Sequence, residues 1–200
     1  MTAYRQNDNL RYENVLNRET HTDIPNQLWV TDISYIIMSD GTAYLSAIRD
    51  LCGQYIVAYK TAFHQDYSLV KNTIETAMQS EKPATPPLLH NDGGGQYRSF
   101  DHKKTIDLYG LTASMSKPAT PGDNAMAENF FSIYKTECLY LEKPKTLVEA
   151  LALTDTFVRY YNYERIQANG MTPYEERQQA FARMHNQALS GAAAPEPPRV

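Results

Sequence analysis

The stretch Gln27-Leu28-Trp29-Val30-Thr31-Asp32-Ile33-Ser34-Tyr35-Ile36-Ile37-Met38 decides the fold. It is dense in β-branched and aromatic residues, the composition of a packed, pleated strand. Asp40-Gly41 behind it is a hairpin turn signal, and residues 42–48 continue in the same style. A second break at Cys52-Gly53-Gln54 leads into residues 55–59. Three consecutive short strands joined this tightly read as an antiparallel meander.

Downstream the period changes. Leu69, Val70, Ile74, Ala77 and Met78 recur at helical spacing, and Lys82-Pro83-Ala84-Thr85-Pro86-Pro87 ends that helix. Leu88-Leu89-His90 reads as a short strand, followed by glycines, a helix to about Tyr109 and, after Gly110, a strand at 111–115. A Pro/Gly loop at 116–122 precedes a long helix over about 124–140. Thr146-Leu147-Val148-Glu149 has capping-box spacing and opens a helix to about Tyr163. Thr172-Pro173-Tyr174-Glu175 opens the last helix, with proline suited to its first turn. The order β-β-β-α-β-α-β-α-α-α predicts an α/β fold, with a mixed sheet of three antiparallel strands and then two parallel ones, flanked by helices. Residues 1–25 lack apolar periodicity and read as an N-terminal arm or linker. Residues 26–185 read as the core and 186–200 as a disordered tail rich in proline.

Two hundred residues suit a single domain, and 42% hydrophobic with 21% charged residues exclude a disordered or fibrous chain. No apolar run approaches a membrane span and the first residues lack a signal core, so the expected location is the cytoplasm, with no membrane partner. Cys52 and Cys138 form no C-x-x-C, and the five histidines (21, 64, 90, 102 and 185) share no metal-ligand spacing. Neither a zinc site nor a disulfide framework is indicated. The net charge of −4 argues by itself against a polyanionic partner.

Three carboxylates stand out by context. Asp32 interrupts a core strand, which is costly unless the side chain faces outward or a cation offsets its charge. Asp92 follows the strand 88–90 directly and precedes Gly93-Gly94-Gly95. Ligands favour the carboxyl ends of sheet strands, although an Asp before glycine is also a common turn cap. Glu128 sits in the helix opened by Asp123-Asn124-Ala125, 36 positions after Asp92. Asp123-Asn124 reads as the cap of that helix. Lys135, seven residues on, lies two turns further along the same face, as either a phosphate contact or a solvated lysine.

Five segments arrive in order: Trp29-Val30-Thr31-Asp32-Ile33-Ser34-Tyr35; His90-Asn91-Asp92-Gly93-Gly94-Gly95-Gln96-Tyr97; Asp123-Asn124-Ala125-Met126-Ala127-Glu128-Asn129-Phe130-Phe131; Lys135-Thr136-Glu137; and Tyr161-Asn162-Tyr163-Glu164-Arg165-Ile166-Gln167. Together they closely resemble the OrfB-type transposases of the IS-three group of insertion sequences, over about residues 11–180. The resemblance implies a retroviral-integrase-like catalytic core with a ribonuclease H-like fold. It carries the catalytic, metal-binding DDE triad onto Asp32, Asp92 and Glu128. It also implies two Mg²⁺ ions, replaceable by Mn²⁺, and cleavage and joining of DNA strands at transposon ends and target.

Lys135, Gln96, Tyr97 and Lys117 are the candidate DNA contacts, with Tyr97 equally readable as core. Further cations stand at Lys103, Lys104, Lys143 and Lys145. Asn91 takes the place where the family usually has serine, and Lys117-Pro118-Ala119-Thr120-Pro121-Gly122 is a proline-rich variant of the loop before the glutamate's helix. Family members carry upstream helix-turn-helix segments. The resemblance therefore implies an OrfA-type partner or a missing N-terminal segment, with a homo-oligomer on DNA. A ribonuclease H-like nuclease and an inert truncated fragment are the alternatives.

Overall fold

The strand-forming stretch becomes β1 (Leu28–Met38), the centre of the sheet. The computed structural model describes residues 10–191 apart from Ala119 and Pro121. β1 pairs antiparallel with β2 (Gly41–Asp50), which pairs antiparallel with β3 (Ile56–Ala62). On its other side β1 runs parallel to β4 (Leu88–Asn91), and β4 parallel to β5 (Thr112–Met115), giving the order β3-β2-β1-β4-β5. This is the predicted mixed sheet.

The helices are α1 (Tyr67–Glu81), α2 (Phe100–Tyr109), α3 (Ala125–Tyr134), α4 (Tyr140–Glu142), α5 (Leu147–Tyr163) and α6 (Pro173–Gly191). A short 3-10 turn at Gly95–Arg98 precedes α2. The long helix expected over 124–140 is interrupted: a π-helical segment, Lys135–Leu139, joins α3 to α4. The expected N-cap signals hold for the later helices. Thr172 Oγ1 accepts from Glu175 N at 3.1 Å while Glu175 Oε2 accepts from Thr172 N at 2.8 Å, a reciprocal capping box. Thr146 caps α5 through Glu149 N at 3.2 Å, and Asp40 of the first hairpin turn accepts from Leu147 N at 3.0 Å.

Each sheet face carries its own core. One face packs Trp29, Ile48 and Leu89 against Val70, Ile74 and Ile106 of α1 and α2. The other packs Ile36, Leu45 and Ile56 against Phe130, Phe131 and Tyr134 of α3 and Phe157 and Tyr161 of α5. Each fully buried large side chain contributes about 1.5–3 kcal/mol. α6 is pinned by one buried arginine: Arg177 Nε meets Asp50 Oδ2 at 3.0 Å and its Nη2 meets Glu81 Oε2 and Asn26 Oδ1 at 2.6 Å. α6 takes in residues 186–191 of the segment expected as tail, and 192–200 lie outside the described residues. Residues 10–25 lie against the core, with Leu16 buried beside Val30 and Ala127. No described helix is long and apolar enough to cross a membrane.

Candidate active site

β1 and β4 pair in parallel up to Val30 opposite His90. Asp32 lies two residues beyond that pair within β1, where the side-chain period of two places it on the Val30 face, and Asp92 follows the last residue of β4 directly. α3 covers that face, because Val30 shares a cluster with Ala127, the neighbour of Glu128. Asp32 stands opposite Ala47 of β2, whose small side chain crowds nothing. Asp32 is half-buried, and Asp92 and Glu128 are exposed.

Charge reports the same convergence. The Asp32 carboxyl is pushed up to about 7, chiefly by burial and next by the negative charge of Asp92. The Ile33 N–H bond opposes the rise, Glu128 adds to it and Lys135 works against it. Asp32 is thus within electrostatic reach of Asp92, Glu128 and Lys135. Lys135 is half-buried and has no ion-pair partner among the described residues.

Two of the acids are held by local turns. Asp32 Oδ1 accepts from Ile33 N at 2.7 Å and Asp92 Oδ1 from Gly94 N at 2.8 Å. Their second oxygens and the Glu128 carboxylate have no hydrogen-bond partner among the described residues. Such unpartnered carboxylate oxygens are hard donors of the kind Mg²⁺ prefers, so the donor set fits a divalent cation. Among the described residues no three acidic, histidine or cysteine side chains close tightly enough to grip an ion together. A groove of about 880 Å³ lined by Glu137, Cys138 and Phe157 includes no member of the triad.

The surroundings correct three expectations. Tyr97 is 1% exposed and belongs to the core under α1 and α2, so it presents nothing to DNA. Asn124 occupies the N-cap position of α3 but makes no side-chain cap bond. Its Nδ2 donates to Thr31 O at 3.3 Å and ties the start of α3 to β1 beside Asp32. The Asp123 side chain is also no cap, since its carboxylate accepts from Arg18 Nε at 2.8 Å, Asn14 Nδ2 at 2.9 Å and Lys117 N at 3.2 Å.

Gln96 is half-buried and donates to Gln65 O at 3.2 Å, with Lys117 exposed. Lys103 and Lys104 are paired with Asp107 at 2.5 Å and Asp101 at 3.0 Å. Asn91, in the usual serine place, is buried and holds Gly93 N through Oδ1 at 3.0 Å. Its Nδ2 is buried with no hydrogen-bond partner among the described residues, so the turn satisfies only the oxygen of this side chain.

Two supporting residues escaped the sequence reading. His90 is buried between Ser114 Oγ at 2.9 Å and Ser116 Oγ at 3.1 Å, and burial pushes its pKa down to about 4, leaving the ring neutral. Arg49 of β2 is buried and donates to Met126 O at 2.5 Å and Tyr161 Oη at 2.8 Å, clamping α3 and α5 to the sheet. Like Asp32, it is a charge inside a strand run, which is the signal that could have exposed it.

The chain matches the integrase core domain family over residues 22–121, and a second integrase core domain description over 109–173. The chain belongs to the integrase core domain family. Within it, 181 residues are 32% identical to the putative transposase InsK for insertion sequence element IS150 of Escherichia coli (strain K12), covering 90% of this chain and 64% of that protein. An uncharacterized transposase-like protein of Haemophilus influenzae is 32% identical over 171 residues, covering 84% of this chain and 79% of that one. The chain thus spans about two thirds of the first relative's length.

The HTLV-2 integrase catalytic core domain in complex with magnesium superposes with a TM-score of 0.59 at 16% identity, over 77% of this chain and 97% of that one. At that identity the likeness speaks for fold alone, and the integrase core here has the ribonuclease H-like fold. The resemblance to IS-three group transposases drawn from the motifs is borne out.

Proposed function

We propose that this integrase core cleaves and joins DNA strands as the catalytic domain of an insertion-sequence transposase, with Asp32, Asp92 and Glu128 as its metal ligands. The observation that carries the reading is the approach of Asp32, in β1 just beyond its pairing with β4, to Asp92, just past the carboxyl end of β4, under the helix of the glutamate and with oxygens left unpartnered. When bound, two Mg²⁺ or Mn²⁺ ions would supply positive charge to the attacking and leaving oxygens of an in-line phosphoryl displacement.

The chain's own residues do the rest. β1 and the Ile33 N–H fix Asp32, the Gly94 turn fixes Asp92, and the first turn of α3 presents Glu128. Lys135 stands by to meet a phosphate oxygen of the substrate, and Lys117 is exposed on the loop before α3. The exposed placement of Asp92 and Glu128 suits a duplex laid across a surface. DNA at transposon ends and target is the proposed partner, with an OrfA-type helix-turn-helix protein or upstream segment supplying end recognition. The proposed setting is the cytoplasm, nucleoid-associated on DNA.

Strand joining on a branched transposon-end substrate with Mg²⁺, compared for wild type, Asp92→Asn and Glu128→Gln, tests the reading. Loss of a ligand lowers turnover by at least about 100-fold. Undiminished joining in either variant, or faster cleavage of an RNA–DNA hybrid than of the branched DNA, overturns it.

A further inference from the structure

We propose that residues 13–18 act as a strap that positions Glu128, through Asp123 and through the hydrogen-bond chain Ser114–His90–Ser116. The proposal rests on the reading of Glu128 as a metal ligand. The strap reaches the site from two sides. Val15 N and Leu16 N donate to Ser114 Oγ at 2.9 and 3.0 Å, and Met115 N donates to Glu13 O at 3.2 Å. A serine oxygen that accepts two N–H bonds has its single proton left to give, and His90 Nδ1 at 2.9 Å receives it. His90 then carries its own proton on Nε2 and donates it to Ser116 Oγ at 3.1 Å. The direction of every bond in the chain is thereby fixed, from strap to the first residue of the loop before α3.

At the far end of that loop, Asp123 is gripped by Arg18 and Asn14 of the same strap and by the loop's own Lys117 N–H. The Asp123 side chain is 2% exposed, whereas that of Arg18 is 64% exposed, so the acid is enclosed and the arginine reaches in from solvent. Asp123 stands five positions before Glu128, just ahead of α3. Asn124 is tied to Thr31 O, and both Ala127 N and Glu128 N bond to Asn124 O, at 3.1 and 3.2 Å. Leu16 completes the link by packing with Val30 and Ala127. Six residues of the arm therefore hold both ends of the segment that sets where Glu128 points, while Asp32 is held within β1 and Asp92 by its own Gly94 turn. Asn14, Arg18 and Asp123 are positioning residues in this scheme.

The test is the Asn14→Ala/Arg18→Ala double variant, which alters surface-accessible side chains and leaves the core intact. Amide exchange at Ala127 and Glu128 should quicken at least about tenfold, with Phe131 and Tyr134 unchanged. The midpoint of a Mn²⁺ titration should rise about fivefold or more, and turnover on branched DNA should fall without a change in KM for the DNA. In a Glu128→Gln background the same double variant should leave the Mn²⁺ midpoint where it was, because the effect passes through Glu128. Unchanged exchange in the first turn of α3 overturns the proposal, and so does faster exchange with an unmoved Mn²⁺ midpoint. If wild type itself binds no Mn²⁺ and joins no strands, the proposed function fails, and the exchange comparison still decides whether the strap holds α3.

Discussion

Replacing Asp32 by asparagine should make the metal-free protein more stable at neutral and higher pH. The side chain keeps its shape and can still accept the Ile33 N–H bond at 2.7 Å. What it loses is a charge that burial and the neighbouring Asp92 disfavour, as shown by a carboxyl raised from 3.8 to about 7. A folded-state pKa above the unfolded one means that the native state binds the proton more tightly. Ionisation therefore erodes stability as pH rises from about 4, and the full cost is reached above about 7. Three pKa units correspond to about 4 kcal/mol, and solvent at the open side screens part of that, so a gain of about 2–4 kcal/mol is expected near pH 8. Near pH 5, where the native carboxyl is protonated, the gain should shrink to under about 2 kcal/mol. Urea unfolding in chelator at both pH values measures it. Added Mn²⁺ should narrow the gap and, at about 1,000 times its Kd, reverse the order, because an ion that binds only the native wild type then stabilises it by about 4.1 kcal/mol. No gain near pH 8, or an equal gain near pH 5, would refute the electrostatic account of the site.

Three further outcomes follow from named contacts. Arg177→Met leaves Asp50 and Glu81 without their buried partner and should cost about 3–5 kcal/mol in urea unfolding. Asp50 is already raised to about 6, mainly by burial with Arg177 opposing, and without Arg177 it takes up its proton at still higher pH, so this loss should lessen as pH falls to about 6, and a pH-independent loss would contradict the pairing. Gly93→Ala adds a Cβ at φ +78°, where it meets Met115 Cγ and Sδ at 3.0 Å, and should cost about 1–2 kcal/mol and weaken the Mn²⁺ response through Asp92. Lys135→Ala should lower the slope of log K against log salt for DNA binding by about one unit, equally for terminal-repeat and scrambled duplexes. A sequence-dependent change would instead mark Lys135 as a base contact.

The strands were legible because β-branched and aromatic runs and turn residues sit next to one another in the chain, and so does the register of the first hairpin. The triad needed more. The approach of the proposed triad depends on Val30 pairing with His90, a contact between segments 60 positions apart, which brings Asp32 of β1 near Asp92 just past β4. Local signals misled where a distant partner competed. An Asp-Asn pair before a helix reads as a cap, yet Asp123 is drawn off by Arg18 and Asn14, more than 100 positions away, and Asn124 by Thr31, 93 positions away. A capping bond is worth about 1 kcal/mol, and a carboxylate gripped by an arginine and two amide donors gains more than that. The π-helical segment at Lys135–Leu139 has no signature in the apolar period, since Lys135 keeps the face shared with Glu128. His90 and Arg49 were missed for the same reason, as their partners lie 24 to 112 positions away. The parts of the site that are set by a strand and its turn were readable from sequence, whereas Glu128 is placed by contacts between distant segments. It is therefore the member of the proposed triad whose geometry is most open to change from outside the core.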